Sequence, residues 1–153
     1  MRTRAHSTKL LWLLFVVLLA YPAAGREPPK ALQDQLASSP FVYISSTRKD
    51  GTLSRPAEIW FLWYKGSVYV GSAPTTWRAR RIRWGRPQAK IWVGKPDGPS
   101  FTATGAIVNE PETQAVLLET YAHKYPGDWK RWDESFRTGF ADGSRVLIRY
   151  TPD

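Results

Sequence analysis

Between residues 72 and 86 the sequence gathers three hydroxyls and five guanidinium groups: Ser72, Thr75 and Thr76, then Arg78, Arg80, Arg81, Arg83 and Arg86. Hydroxyls and backbone N–H groups at a helix start, joined by guanidinium forks, can make a phosphate site. Arginine suits bidentate contact with phosphate oxygens. The same run also reads as a solvated helix face, the usual fate of a string of charges. Composition alone leaves both readings open.

Other catalytic signatures are missing. The sequence has two histidines, His6 and His123, and no cysteine, so a histidine or thiolate metal centre has no ligand set. There is no G-x-S-x-G elbow, Walker A loop or G-x-G-x-x-G turn. Glu110 and Glu112 flank Pro111, where acids favour a helix start. Asp128, Asp133 and Glu134 alternate with Lys130, Arg131 and Arg137, which reads as a solvated charged surface. No side chain is assigned a catalytic role.

The elements that must position the basic cluster follow from pattern. Residues 26–40 read as an exposed leader with one or two helical turns around Pro29 to Leu36. Residues 41–47, 53–64 and 67–72 are rich in β-branched and aromatic types and read as three strands of a meander. Asp50-Gly51 and Lys65-Gly66 turn the chain between them. Pro74 and the threonines start a short helix over 77–84, with a threonine hydroxyl as its cap. Strands at 89–93 and 101–109 precede a helix over 111–124, whose Val116, Leu117 and Tyr121 keep helical spacing. A polar and aromatic loop over 125–144 leads to a last strand at 146–150. The pattern predicts a mainly β (α+β) domain, a small antiparallel barrel with two flanking helices.

The N-terminus carries Arg2, Arg4 and Lys9, then the apolar run 10–20, then Pro22, Ala23, Ala24 and Gly25. This is the order of a secretory signal peptide spanning 1–25, cleaved before Arg26. A spanning anchor needs about 20 apolar residues, and Pro22 interrupts this run before that length. The expectation is therefore an exported protein, periplasmic or extracellular, with no transmembrane span after cleavage. Removing three cations lowers the formal net charge from +9 to +6. A basic balance points to anionic partners, and export makes nucleic acid an unexpected one. Seven of the eight tryptophans lie beyond residue 25. That is more indole than a core of this size needs, so some should line a pocket or a partner surface.

The stretch 47–93 resembles the flavin-binding split-barrel family, the fold of pyridoxamine-phosphate oxidase and its deazaflavin-dependent relatives. The residues that carry the resemblance are Asp50-Gly51, Trp60-Phe61, Tyr69, Thr75-Thr76, the basic helix from Arg78 to Ile82, and the strand following Pro87. The resemblance extends over 41–150, within a domain of 41–153. It implies a split barrel and a homodimer with FMN or a deazaflavin at the subunit interface. It places the cofactor phosphate on Ser72, Thr75, Thr76, Arg78, Arg80 and Arg81, and the tricyclic ring along Glu58, Ile59 and Trp60. The redox chemistry would belong to the cofactor, so no protein acid or base need be visible.

Three readings follow. The first is an oxidoreductase acting on a small-molecule substrate. The second is a non-catalytic binder of haem or flavin on the same fold. The third is a basic, Trp-rich interaction domain for acidic polymers or a membrane surface.

Overall fold

A computed structural model describes residues 26–153, and the signal-peptide reading of 1–25 lies outside the described residues. The elements are α1 (Lys30–Ser38), β1 (Val42–Ser46), β2 (Ala57–Ile59), β3 (Leu62–Tyr64), β4 (Ser67–Ser72), α2 (Trp77–Arg83), β5 (Gln88–Val93), β6 (Ser100–Val108), α3 (Pro111–Lys124), α4 (Pro126–Asp142) and β7 (Val146–Pro152). The strands form one seven-stranded antiparallel sheet in the order β2-β1-β5-β6-β7-β4-β3. This curled sheet is the split barrel.

The segment 53–64 is not one strand. Leu53 makes a single bridge to Thr47, Pro56 lacks the N–H that a ladder needs, and pairing resumes only at Ala57. β2 then pairs with β1, while β3 pairs with β4 at the other end of the sheet. Only Trp60 and Phe61 separate them. Three residue steps from Ile59 to Leu62 span at most about 11 Å, so the two outer strands must approach and the sheet must curl.

Tyr121 of α3 and Tyr125, which follows α3, hold this crossing. The Tyr121 hydroxyl donates to the carbonyl of Trp60 at 2.7 Å. The Tyr125 hydroxyl accepts from the N–H of Phe61 at 3.2 Å and donates to the carbonyl of Pro40 at 2.7 Å. The Trp60 ring stacks on Tyr125 with centroids 4.4 Å apart. Backbone groups that no ladder pairs are thus satisfied by side chains, as burial requires.

The alternation of β4 divides the interior. Val68 and Val70 face a cluster with Val42, Ile44, Ile91 and Ile148, inside the barrel. Tyr69 faces a second cluster with Leu117, Tyr121, Trp129 and Phe136, between the sheet and α3–α4. The β3–β4 hairpin closes through Lys65 and Gly66, both at positive φ (47° and 72°), the backbone that suits a two-residue hairpin turn.

Two further expectations are corrected. The segment 26–40 is not merely an exposed leader: α1 runs through Ser38, and Leu36 is buried in the first cluster. The segment 125–144 is not a loop. It carries α4, with Pro126 in its first turn and Gly143 as a left-handed cap. Trp129, Phe136 and Phe140 stand seven and four residues apart, on one helix face, and pack on the second cluster. The described residues therefore hold four helices instead of two.

Candidate functional site

β4 ends at Ser72, and the chain turns through Ala73 and Pro74 into α2. The turn is closed by the N–H of Thr76 on the carbonyl of Ala73 at 3.1 Å. The Thr76 hydroxyl donates to the same carbonyl at 2.9 Å and lies 2.9 Å from Ser72 Oγ. It makes no side-chain bond to the helix, so the expected threonine cap is not formed. The hydroxyl bonds back into the turn instead.

Arg78 and Arg81 leave α2 toward the sheet. Arg81 Nη1 donates to Ser46 Oγ at 2.7 Å and to the Ser46 carbonyl at 3.3 Å. Arg78 Nη1 reaches Ser72 Oγ at 3.4 Å. Among the described residues neither guanidinium forms an ion pair. Burial lowers the pKa of Arg78, while the phenols of Tyr150 and Tyr121 oppose that shift. Burial also lowers that of Arg81, with repulsion from Arg48 and Arg86 in the same direction. The Tyr150 hydroxyl is buried with no hydrogen-bond partner, and burial lifts its pKa to about 12 despite the pull of Arg78. A half-buried guanidinium with five donors and one long bond is a cation held ready for an anion.

The larger of two cavities here has a volume of about 450 Å³ and is lined by Arg48, Arg55, Arg78 and Arg81, with Ser54 and Thr76 among the others. Arg48 is fixed by donating to the carbonyl of Leu53 at 2.7 Å. No carboxylate lines this cavity. Four guanidinium groups facing one space without an acid offer donors suited to an oxyanion.

The smaller cavity, of about 230 Å³, is walled by Glu58, Ile59 and Trp60 from the β2 side and by Tyr121, Trp132 and Phe136 from α3 and α4. Gly71 forms part of its lining, and a Cβ there would meet Phe136 Cε1 at 2.4 Å. Arg145 adds a cation, its guanidinium lying 4.5 Å from the Phe136 ring centroid. Glu58 Oε2 accepts from the Tyr43 hydroxyl at 2.6 Å, a bond that raises the Tyr43 pKa. Arg78 lines both cavities, so an anionic end and an aromatic end meet at one side chain.

Of the residues singled out in the sequence, Thr76, Arg78 and Arg81 line the larger cavity, and Glu58, Ile59 and Trp60 line the smaller. Ser72 is buried beneath the turn and contacts Arg78. Thr75 and Arg80 are exposed and line neither cavity, Arg80 lying over the Trp77 ring. Sequence reasoning missed Arg48, Arg55 and Ser54. They lie outside the fifteen-residue cluster and reach it only because the β1–β2 connection folds across α2. The one signal available was two arginines flanking the Asp-Gly turn in an acid-poor stretch. Among the described residues there is no group of acids and histidines able to hold a metal ion, and no helix is long and apolar enough to cross a membrane.

No protein-family model matches the chain, and no curated protein sequence matches it. Solved structures do. A haem storage protein, HutZ of Vibrio cholerae, is 12% identical, with a TM-score of 0.56 over 80% of this chain and 88% of that one. A candidate pyridoxamine 5'-phosphate oxidase of Listeria innocua is 13% identical, with a TM-score of 0.58 over 80% and 91%. An F420 reductase is 19% identical, with a TM-score of 0.53 over 82% and 96%. The chain has the split-barrel fold of these proteins.

Proposed function

We propose that this chain is an exported split-barrel protein that binds a phosphate-bearing flavin-type cofactor, FMN or a deazaflavin, and acts as an oxidoreductase on a small molecule. The observation that carries the reading is the meeting of a four-arginine cavity and an aromatic cavity at Arg78. Arg48, Arg55, Arg78 and Arg81 would hold the phosphate, and Ile59 and Trp60 would lie against the ring. Neither cavity is lined by a histidine: His123 sits exposed on α3, its ring bonded to the carbonyl of Glu119. The one phenol lining the two cavities, Tyr121, is engaged by the Trp60 carbonyl at 2.7 Å. The arginine-rich lining therefore suits a phosphate-bearing flavin-type group better than a haem, whose iron needs an axial ligand.

When bound, such a cofactor supplies the hydride or electron transfer. The chain's own residues bind and orient. The arginines neutralise the oxyanion, Ser46 fixes Arg81, and the Trp60–Tyr125 stack holds the aromatic wall in place. Phe136 and Trp132 would wall the smaller cavity on the α4 side. The reading includes a homodimer, which sedimentation tests separately.

The experiment is an absorbance spectrum of residues 26–153, which contain the seven-stranded sheet and both apolar clusters, after mixing with FMN, a deazaflavin or haem and desalting. Retention of FMN or deazaflavin supports the reading, and reduction of the retained group by a nicotinamide donor makes the protein an oxidoreductase. Retention of haem alone moves it to the binder class. Retention of none removes the cofactor reading.

A further inference from the structure

Trp77 and Trp84 are the two most exposed large apolar side chains in the described structure, 61% and 54% accessible. They stand seven residues apart, two helical turns, and therefore on one face of α2 and its cap. Their rings meet edge to face with centroids 6.3 Å apart. Arg80 and Arg81 each lie 5.6 Å from the Trp77 ring centroid, and Arg86 lies 5.2 Å from that of Trp84. From Pro74 to Lys90 the chain carries six cations and no acid. None of Arg80, Arg83 and Arg86 forms an ion pair among the described residues. Asp50 acts on Arg81, at the edge of the stripe.

The cofactor reading uses Arg78 and Arg81 from the sheet side of α2, Trp77 borders the larger cavity but stays largely exposed, and Arg80, Trp84 and Arg86 are left unemployed. Exposed indoles cost free energy in water, and a protein with a full core keeps such a pair for contact. The chemistry of the contact follows from its two halves. Guanidinium groups seek anions, while indoles seek a boundary where the ring leaves water and its N–H remains hydrated. An anionic lipid surface supplies both: tryptophan concentrates at the membrane interface, and basic residues there are attracted to anionic headgroups. A soluble polyanion would neutralise the arginines and leave the indoles in water.

We infer that the Trp77–Arg80–Trp84–Arg86 face of α2 docks the protein on an anionic phospholipid surface. The inference is independent of which cofactor the cavities take. Docking needs both charge and ring, so it weakens with salt and loses affinity when either is removed.

Residues 26–153 would be mixed with vesicles of phosphatidylcholine alone, or with about one third phosphatidylglycerol, and bound protein separated by sedimentation. The expected result is binding to the anionic vesicles at least roughly tenfold tighter than to the neutral ones, with a blue shift of tryptophan emission. Trp84→Ala and Arg80→Glu should each remove most of that preference. Lys130→Glu, an equal charge change on the exposed face of α4, should leave it within about twofold. Circular dichroism confirms folding of each variant. Equal binding to both vesicle types overturns the proposal, as does retention of binding in both α2 variants. Tighter binding to heparin than to vesicles, without a blue shift, makes the face a polyanion site. A change of sedimentation from dimer to monomer in Trp84→Ala makes it a contact between copies of the chain.

Discussion

Arg81 donates to Ser46 Oγ across thirty-five residues of chain, at 2.7 Å, and this bond ties α2 to β1 beside the four-arginine cavity. Ser46 is buried, so its hydroxyl has few other partners. Ser46→Ala should lower stability by about 1–2 kcal/mol, because Arg81 keeps only the longer bond to the carbonyl. A urea midpoint indistinguishable from wild type would show that the tie does not hold α2.

Binding should separate the arginines by side of the helix. Arg78→Ala, Arg81→Ala and Arg55→Ala should each weaken FMN or deazaflavin binding by roughly 1.5–3 kcal/mol, while the fold survives. Arg80→Ala, outside both cavities, should leave affinity within about twofold. Isothermal titration of the four variants decides the matter. Equal effects, or none, would mean that the cavity does not bind the phosphate.

Close packing at Gly71 predicts a cost for one methyl group. An alanine Cβ would lie 2.4 Å from Phe136 Cε1 and 3.3 Å from Phe140 Cζ, so the α4 rings must move off β4. Gly71→Ala should destabilise by about 1–3 kcal/mol. Adding Phe136→Leu should recover part of the loss. A single variant as stable as wild type in thermal unfolding would refute the tight contact.

Stability should depend on pH through Lys124. Its ammonium lies 3.6 Å from the Phe61 ring centroid, and burial depresses its pKa from 10.5 to about 8. Between those values the unfolded chain binds the proton and the folded chain does not, so stability rises with pH from about 8 toward 10.5. Tyr125 works in the opposite sense: burial raises its pKa from 10.0 to about 12, so its contribution is lost as pH climbs through that window. The urea midpoint should therefore be higher at about pH 9.5 than at about pH 7.5, and fall beyond about pH 10. Lys124→Met should flatten the rise. A wild-type midpoint that declines from neutrality upward would contradict this assignment.

Most strands were legible because their chemistry is local. Val68 and Val70 against Tyr69 mark a strand with two distinct faces, and the structure seats them in two different clusters. The helix over 111–124 is found in the same place, as α3. What escaped is set by distant partners. The break at Trp60-Phe61 is invisible in composition, because both residues are good strand formers and the interruption comes from β2 and β3 pairing at opposite ends of the sheet. α4 was hidden by its charge: Trp129, Phe136 and Phe140 are too few for a strong stripe among polar neighbours, and only the sheet beneath them explains their spacing. Arg55 had only the weak signal of flanking the Asp-Gly turn with Arg48, since its nearness to Arg78 and Arg81 exists only after the barrel curls.

The two-residue passage between β2 and β3 also governs pairing errors. In an open sheet each outer strand can shift along its neighbour by itself, and one step exchanges its inward and outward side chains. Here the outer strands share a length of chain too short to take up slack. A step of β2 along β1 would drag β3 along β4, and would pull Trp60 and Phe61 from the tyrosines that clasp them. Misalignment at one end must be matched at the other, so the short passage proofreads the alignment of both.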